Sequence, residues 1–201
     1  MAACVLVGCG GASSTVNPLT PTRIIAFGDS FSTVDTSGYA TYSVNASETN
    51  ATVASRIATT YGFTLKYITS SSAVIASGTA YSYAAGTATS SNTATQISTY
   101  LTYNTPGSSD LFIITAGTQD IIAAAPTNNT TAIATAATAL TAAIQTLTNA
   151  GAQYVLVMQP INVARTPPFL ALNGVRPAGT NASYNSYAQS LSYDSGTACQ
   201  S

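Results

Sequence analysis

The sequence predicts an α/β protein, a doubly wound α/β/α sandwich around a mostly parallel central sheet. Three observations point there: short, nearly unbroken apolar runs, helix-like segments between them, and a polar or glycine-bearing turn after each run. The first run, Arg23-Ile24-Ile25-Ala26-Phe27, is stopped by Gly28 and reads as a buried strand. Leu111-Phe112-Ile113-Ile114-Thr115-Ala116 stops at Gly117 in the same way, and Tyr154-Val155-Leu156-Val157-Met158 stops just before Pro160. All three have the pattern of central strands, apolar on both faces. The clearest helix lies over 131–149, where Ile133, Ala137, Leu140, Ile144 and Leu147 share one face and Gly151 marks the stop. Segments 52–61 and 93–103 are threonine-rich, which lowers helix propensity, but they fall where crossover helices belong. Ligands of such sheets sit beyond the carboxyl ends of the strands, so Gly28-Asp29-Ser30 and Gly117-Thr118-Gln119-Asp120 are expected at one crevice.

The 201 residues, 46% apolar, suffice for one core, and no shift in composition marks a second domain. Only 5% are charged, against roughly 25% in ordinary soluble domains, so the surface is built from Ser, Thr, Asn, Gln and Tyr, which suits export better than the cytosol. Five scattered basic residues and a net charge of −1 leave no electrostatic footprint for nucleic acid or anionic lipid. With no histidine, and cysteine only at positions 4, 9 and 199, there is no zinc pattern or disulfide framework, and no metal or cofactor is expected. Neither Gly-x-Gly-x-x-Gly nor Gly-x-x-x-x-Gly-Lys follows a strand, which removes the phosphate-binding class.

Residues 1–9 end in Leu6-Val7-Gly8-Cys9, which resembles a bacterial lipobox. Cys9 would then be lipidated and hold a cell-envelope protein at the membrane, with 10–22 as a Gly/Ser/Thr/Pro tether and 23–201 as the domain. Neither a positively charged lead nor an apolar stretch of about 7–15 residues precedes Cys9. That implies a start further upstream, or else a simple tail with free thiols in a secreted protein. Residues 36–52 read as a long surface loop.

Ser30 follows a strand, a glycine and an aspartate. Its hydroxyl is expected at the top of the sheet near the start of the next helix, where backbone N–H groups stabilise a developing oxyanion. A helix cap or an Asx turn would use the same residues. The surroundings favour the nucleophile, because Ile25-Ala26-Phe27-Gly28-Asp29-Ser30-Phe31-Ser32 resembles the first block of the GDSL/SGNH hydrolases, whose serine attacks esters. Tyr83-Ala84-Ala85-Gly86-Thr87-Ala88 is similar to the second block, Tyr-Ala-x-Gly-Gly-Ala, which makes Gly86 a backbone oxyanion donor and puts Thr87 in place of a glycine. Ile114-Thr115-Ala116-Gly117-Thr118-Gln119-Asp120 is similar to the third block, Gly-x-Asn-Asp. Gln119 then replaces asparagine as the side-chain donor, with the same amide on a longer arm. Gly28, Asp29, Gly117 and Asp120 support these turns, and 158–161 and Asn185 fall where later family segments lie, so the likeness spans Arg23 to about Tyr193. It implies a flavodoxin-like SGNH sandwich acting on lipid or carbohydrate esters without a cofactor.

The family's closing block, Asp-x-x-His, has no counterpart, and Asp194 does not replace it. A serine hydroxyl needs a proton acceptor, and losing the base of a serine hydrolase costs about 10⁶ in turnover. The sequence therefore reads as a fold incomplete at its C-terminus and nearly inert as it stands. The rival is a catalytically dead surface-binding protein on the same fold, with Tyr39, Tyr42, Tyr81, Tyr83, Tyr100 and Tyr103 as a stacking surface.

Overall fold

In strand β1 (Arg23–Gly28), Ile25 and Phe27 face one side of the sheet and Ile24 and Ala26 the other. In β4 (Leu111–Thr115), Phe112 and Ile114 join the first set and Leu111 and Ile113 the second. Strands apolar on both faces need a helical cover on each, and the computed structural model, which describes residues 18–41, 51–127 and 129–161, supplies both. Helix α1 (Val53–Thr60) lays Ala54 and Ala58 on Ile24, Ala26 and Leu65. On the opposite face, α2 (Ser90–Tyr103) and α4 (Thr130–Asn149) bring Ile97, Tyr100, Leu140, Ile144 and Leu147 onto Ile25, Phe27, Phe112 and Ile114. All five apolar positions expected on the face of the longest helix are buried.

Strands β2 (Leu65–Tyr67), β3 (Thr79–Ser82) and β5 (Tyr154–Met158) complete a five-stranded parallel sheet in the order β2-β3-β1-β4-β5. The register pairs Gly28 with Thr115 and Thr115 with Met158, so the three strand ends lie level. From β1 the chain leaves towards β2, and from β4 towards β5. The connections diverge between β1 and β4, and that divergence opens the crevice beyond their carboxyl ends.

Several expectations change. Helix α2 starts three residues before the predicted Thr93, because Thr89 caps it reciprocally with Asn92: the Asn92 N–H donates to Thr89 Oγ1 at 3.3 Å and the Thr89 N–H to Asn92 Oδ1 at 3.0 Å. Strand β5 is an edge strand among the described residues, not a central one. Val155 and Val157 pack on the core, but Tyr154 and Leu156 on its other face are exposed. The tyrosines do not form one stacking surface. Tyr83 and Tyr100 are buried beside Phe27 with ring centroids 5.5 and 5.7 Å from its ring, Tyr81 packs against the same core, and Tyr42 lies outside the described residues. Residues 1–17, 42–50 and 162–201, which carry the expected anchor Cys9, most of the tether, much of the 36–52 loop, Asn185 and Asp194, also lie outside them.

Candidate active site

The first turn begins at Gly28, whose φ of +121° lies in the region that favours glycine. A Cβ there would stand 1.7 Å from the Thr115 carbonyl oxygen, so no side chain fits where β1 passes β4. Beyond it the Asp29 N–H donates to that same carbonyl at 2.8 Å, the last tie between the strands. The chain then folds back, with the Ser32 N–H donating to the Asp29 carbonyl at 3.0 Å and the Phe31 N–H to Asp29 Oδ1 at 3.1 Å. This is an Asx turn, and Ser30 sits half-buried at its corner. The expected helix after Ser30 is not there: the turn leads into an extended stretch with a bridge between Val34 and Ala40, and α1 begins only at Val53. The backbone hydrogen bonds of a tight turn replace the helix in presenting Ser30.

Two further turns are tied to the first. The Ala85 N–H donates to the Gly28 carbonyl at 3.0 Å, which holds the loop carrying half-buried Gly86 against the end of β1. Gly117, at φ +99°, starts the short helix α3 (Thr118–Ala124), so Gln119 stands half-buried on its first turn. Asp120 on that turn accepts from Ser90 twice, from the backbone N–H at 2.8 Å and the hydroxyl at 2.9 Å, which joins α3 to the start of α2. Ser30, Gly86 and Gln119 thus hang from three turns knitted together at one rim, with Gly28, Asp29, Gly117 and Asp120 in the knitting. The Ser30 hydroxyl and the Gln119 amide take no part in these ties.

Supporting contacts made across long stretches of sequence have no local signal in it. Gln96, on α2, closes a two-point clamp on Gly28: its Oε1 accepts the Gly28 N–H at 2.6 Å, and its Nε2 donates to the Gly28 carbonyl at 3.1 Å. The side-chain amide acts as one more sheet partner for the residue two before Ser30. Ser32 is fully buried; its hydroxyl accepts from Thr115 Oγ1 at 2.9 Å, and its carbonyl accepts from Ser82 Oγ at 2.7 Å. Burial pushes the Asp29 carboxyl above its usual range, with the Phe31 N–H acting against that rise.

A parallel sheet covered by helices on both faces, with its serine turn where the connections diverge, defines a class, the doubly wound α/β proteins whose ligands lie beyond the strand ends. Residues 24–200 match the model of the GDSL-like lipase/acylhydrolase family, and the chain belongs to that family. Membership carries hydrolase chemistry on acyl groups in general. No curated protein matches the chain.

Proposed function

We propose that this protein cleaves esters by attack of Ser30 Oγ on the acyl carbon, with the Gly86 N–H and the Gln119 side-chain amide receiving the charge that develops on the carbonyl oxygen. The observation that carries this reading is the knitting of three turns at the point where β1 and β4 diverge, through Asp29 to Thr115, Ala85 to Gly28 and Asp120 to Ser90. Preorganised donors of this kind are worth about 10²–10³ in turnover each, because they need no rearrangement when charge appears. Gln119 has to fold its longer arm back to reach an oxygen at about 2.7–3.1 Å, so the helix start at Gly117 sets the donor's position.

Attack also needs a proton acceptor for Ser30, and the 201 residues contain no histidine. Turnover by the chain alone is therefore slow, and an external base should raise it. The test is hydrolysis of p-nitrophenyl butanoate by the chain and by Ser30→Ala across a series of imidazole concentrations. The expected result is a rate that climbs with imidazole several-fold further in the parent than in the variant, whose rate reports only imidazole's own reaction with the ester. Superimposable curves for the two proteins would show that Ser30 is no nucleophile.

A further inference from the structure

We infer that three buried hydroxyls, those of Ser82, Ser32 and Thr115, form a belt beneath the rim that spaces Ser30 from its two oxyanion donors, an inference that rests on Ser30 being the nucleophile. The belt crosses three neighbouring parts of the sheet: Ser82 ends β3, Ser32 lies in the turn after β1, and Thr115 ends β4. Ser82 and Ser32 are fully buried and Thr115 nearly so. Thr115 Oγ1 donates to Ser32 Oγ at 2.9 Å, and Ser82 Oγ donates to the Ser32 carbonyl at 2.7 Å. Ser82 Oγ also accepts the Ala84 N–H at 3.1 Å, which carries the belt into the loop of Gly86. A Cβ on Gly28 would stand 2.8 Å from Thr115 Oγ1, so the glycine also leaves room for the hydroxyl that reaches Ser32.

Thr115 grips both sides of the nucleophile. Its carbonyl accepts the Asp29 N–H just before Ser30, and its hydroxyl holds Ser32 just after. Thr115 itself lies two residues before Gly117, which starts the helix of Gln119, and Ser82 leads through Ala84 and Ala85 to Gly86. Each member of the belt is thus close along the chain to one group that the reaction uses. Buried hydroxyls cost free energy unless they are paired, and apolar side chains of the same shape would fill these places. What the hydroxyls add is direction, because a hydrogen bond fixes one separation where an apolar contact lets its partners slide. An oxyanion donor works only at about 2.7–3.1 Å, and a misplacement of about 1 Å can cost as much as 10² in rate. Ser82, Ser32 and Thr115 are therefore positioning residues, whose loss falls on the chemical step more than on substrate binding.

The test makes one chemical change at both edges of the sheet. Thr115→Val keeps the shape of the side chain and removes its hydroxyl; Thr22→Val does the same at the opposite edge, where Thr22 Oγ1 donates to Asp110 at 2.9 Å. With p-nitrophenyl butanoate and imidazole, Thr115→Val should lower kcat above the Ser30→Ala background about tenfold and leave KM near the parent value. Thr115→Ser, which keeps the hydroxyl, should recover most of that loss, and Ser82→Ala should show the same split between kcat and KM. Thr22→Val should lose stability in urea and keep the parent kcat. Heteronuclear NMR spectra of the whole chain give a reading that needs no turnover: Ser82→Ala should shift the Gly86 N–H signal, and Thr115→Val the Gln119 side-chain amide, each further than Thr22→Val does. If Ser82→Ala fails to fold, Thr115→Val against Thr115→Ser still decides. Parent kcat in Thr115→Val and Ser82→Ala, or an equal fall in Thr22→Val, would overturn the belt and leave its hydroxyls to folding alone. A parent no faster than Ser30→Ala, beside NMR shifts as expected, would remove the nucleophile and leave the belt as the element that spaces the three turns.

Discussion

At the N-terminal edge of the sheet a carboxylate and a guanidinium close on each other, whereas at the C-terminal edge two carboxylates are held by amide and hydroxyl groups. Asp110, just before β4, is fully buried and accepts from Arg23 Nε at 3.0 and 3.1 Å, from Thr22 Oγ1 at 2.9 Å and from the Gly107 N–H at 2.6 Å. Arg23 Nη2 also donates to Asp110 Oδ2, and Nη1 and Nη2 donate to the carbonyls of Ile75, at 3.1 Å, and Thr105, at 2.8 Å. Asn104 ties the same two segments, accepting the Ile75 N–H at 2.8 Å and donating to the Ala73 carbonyl at 3.0 Å. Every bond at this edge holds one part of the chain to another. At the opposite edge Asp29 and Asp120 take neutral donors, and their bonds position the turns around Ser30. Charge at the lower edge is used for closure and at the upper edge for placement, so equivalent substitutions at the two edges should fail differently.

The largest effect is expected at the lower edge. Asp110→Ala leaves the Arg23 guanidinium, the Thr22 hydroxyl and the Gly107 N–H without their acceptor, and removing one partner of a buried ion pair costs about 3–5 kcal/mol. Urea unfolding should show a loss of that size, and in a protein of this length it reaches the margin of folding. The double variant Arg23→Met with Asp110→Leu should recover much of it, because replacing both members by apolar side chains leaves no uncompensated charge. A loss below about 1 kcal/mol, the worth of an exposed pair, would show that closure does not depend on this contact.

A smaller loss of stability and a larger change in chemistry are expected from the upper edge. Gln96→Leu keeps the bulk of the side chain on α2 but removes both side-chain contacts to Gly28, at about 1–3 kcal/mol for the N–H left unpaired. The Gly28 carbonyl still receives the Ala85 N–H. Because Gly28 begins the turn that carries Ser30, the imidazole-dependent rate on p-nitrophenyl butanoate should fall through kcat while KM stays near the parent value. Gln96→Glu, which can accept the Gly28 N–H but in its ionised form cannot donate to the carbonyl, should fall between the two. A rise in KM as large as the fall in kcat would mean that Gln96 holds up the whole rim and not the serine turn in particular.

The strands at the centre of the sheet and the longest helix were legible in the sequence because each announces itself locally: β1 and β4 as apolar runs, α4 as an apolar stripe with a stop. Strands β2 and β3 were not, since Leu65–Tyr67 and Thr79–Ser82 are too short to show a period and gain their strand identity from pairing, β3 with β1 and β2 with β3. The turns at Ser30, Gly86 and Gln119 could be found from motif alone. The residues that hold those turns could not, because Gln96 is 68 positions from Gly28 and Thr115 is 83 from Ser32. A partner at that separation leaves no trace until topology brings it near. β5 differs for the opposite reason: its apolar run predicts burial on both faces, and among the described residues only Val155 and Val157 pack on a core.

The smallest effects are opposite in sign at the two edges, and acid brings them out. At the lower edge burial pushes the Asp110 carboxyl up, but Arg23, the Gly107 N–H and the Thr22 hydroxyl outweigh it and hold the group below its ordinary value. Its contribution to stability is therefore present above the unfolded carboxyl value of about 3.9 and lost as pH falls through the lower folded value. At the upper edge burial leaves Asp29 above its ordinary value, so the folded state binds its proton more readily than the unfolded chain does. Its contribution is greatest below the unfolded value and declines as pH rises through the higher folded one. Asp110→Asn should cost most at neutral pH and progressively less below about pH 4. Asp29→Asn, whose Oδ1 still accepts the Phe31 N–H, should gain on the parent as pH is raised from 4 to neutrality. Urea unfolding of parent and variants from pH 3 to 7 measures both differences. If the two variants drift in the same direction, the contrast between the edges does not extend to the carboxylates themselves, and the placement of Ser30 rests on the backbone ties alone.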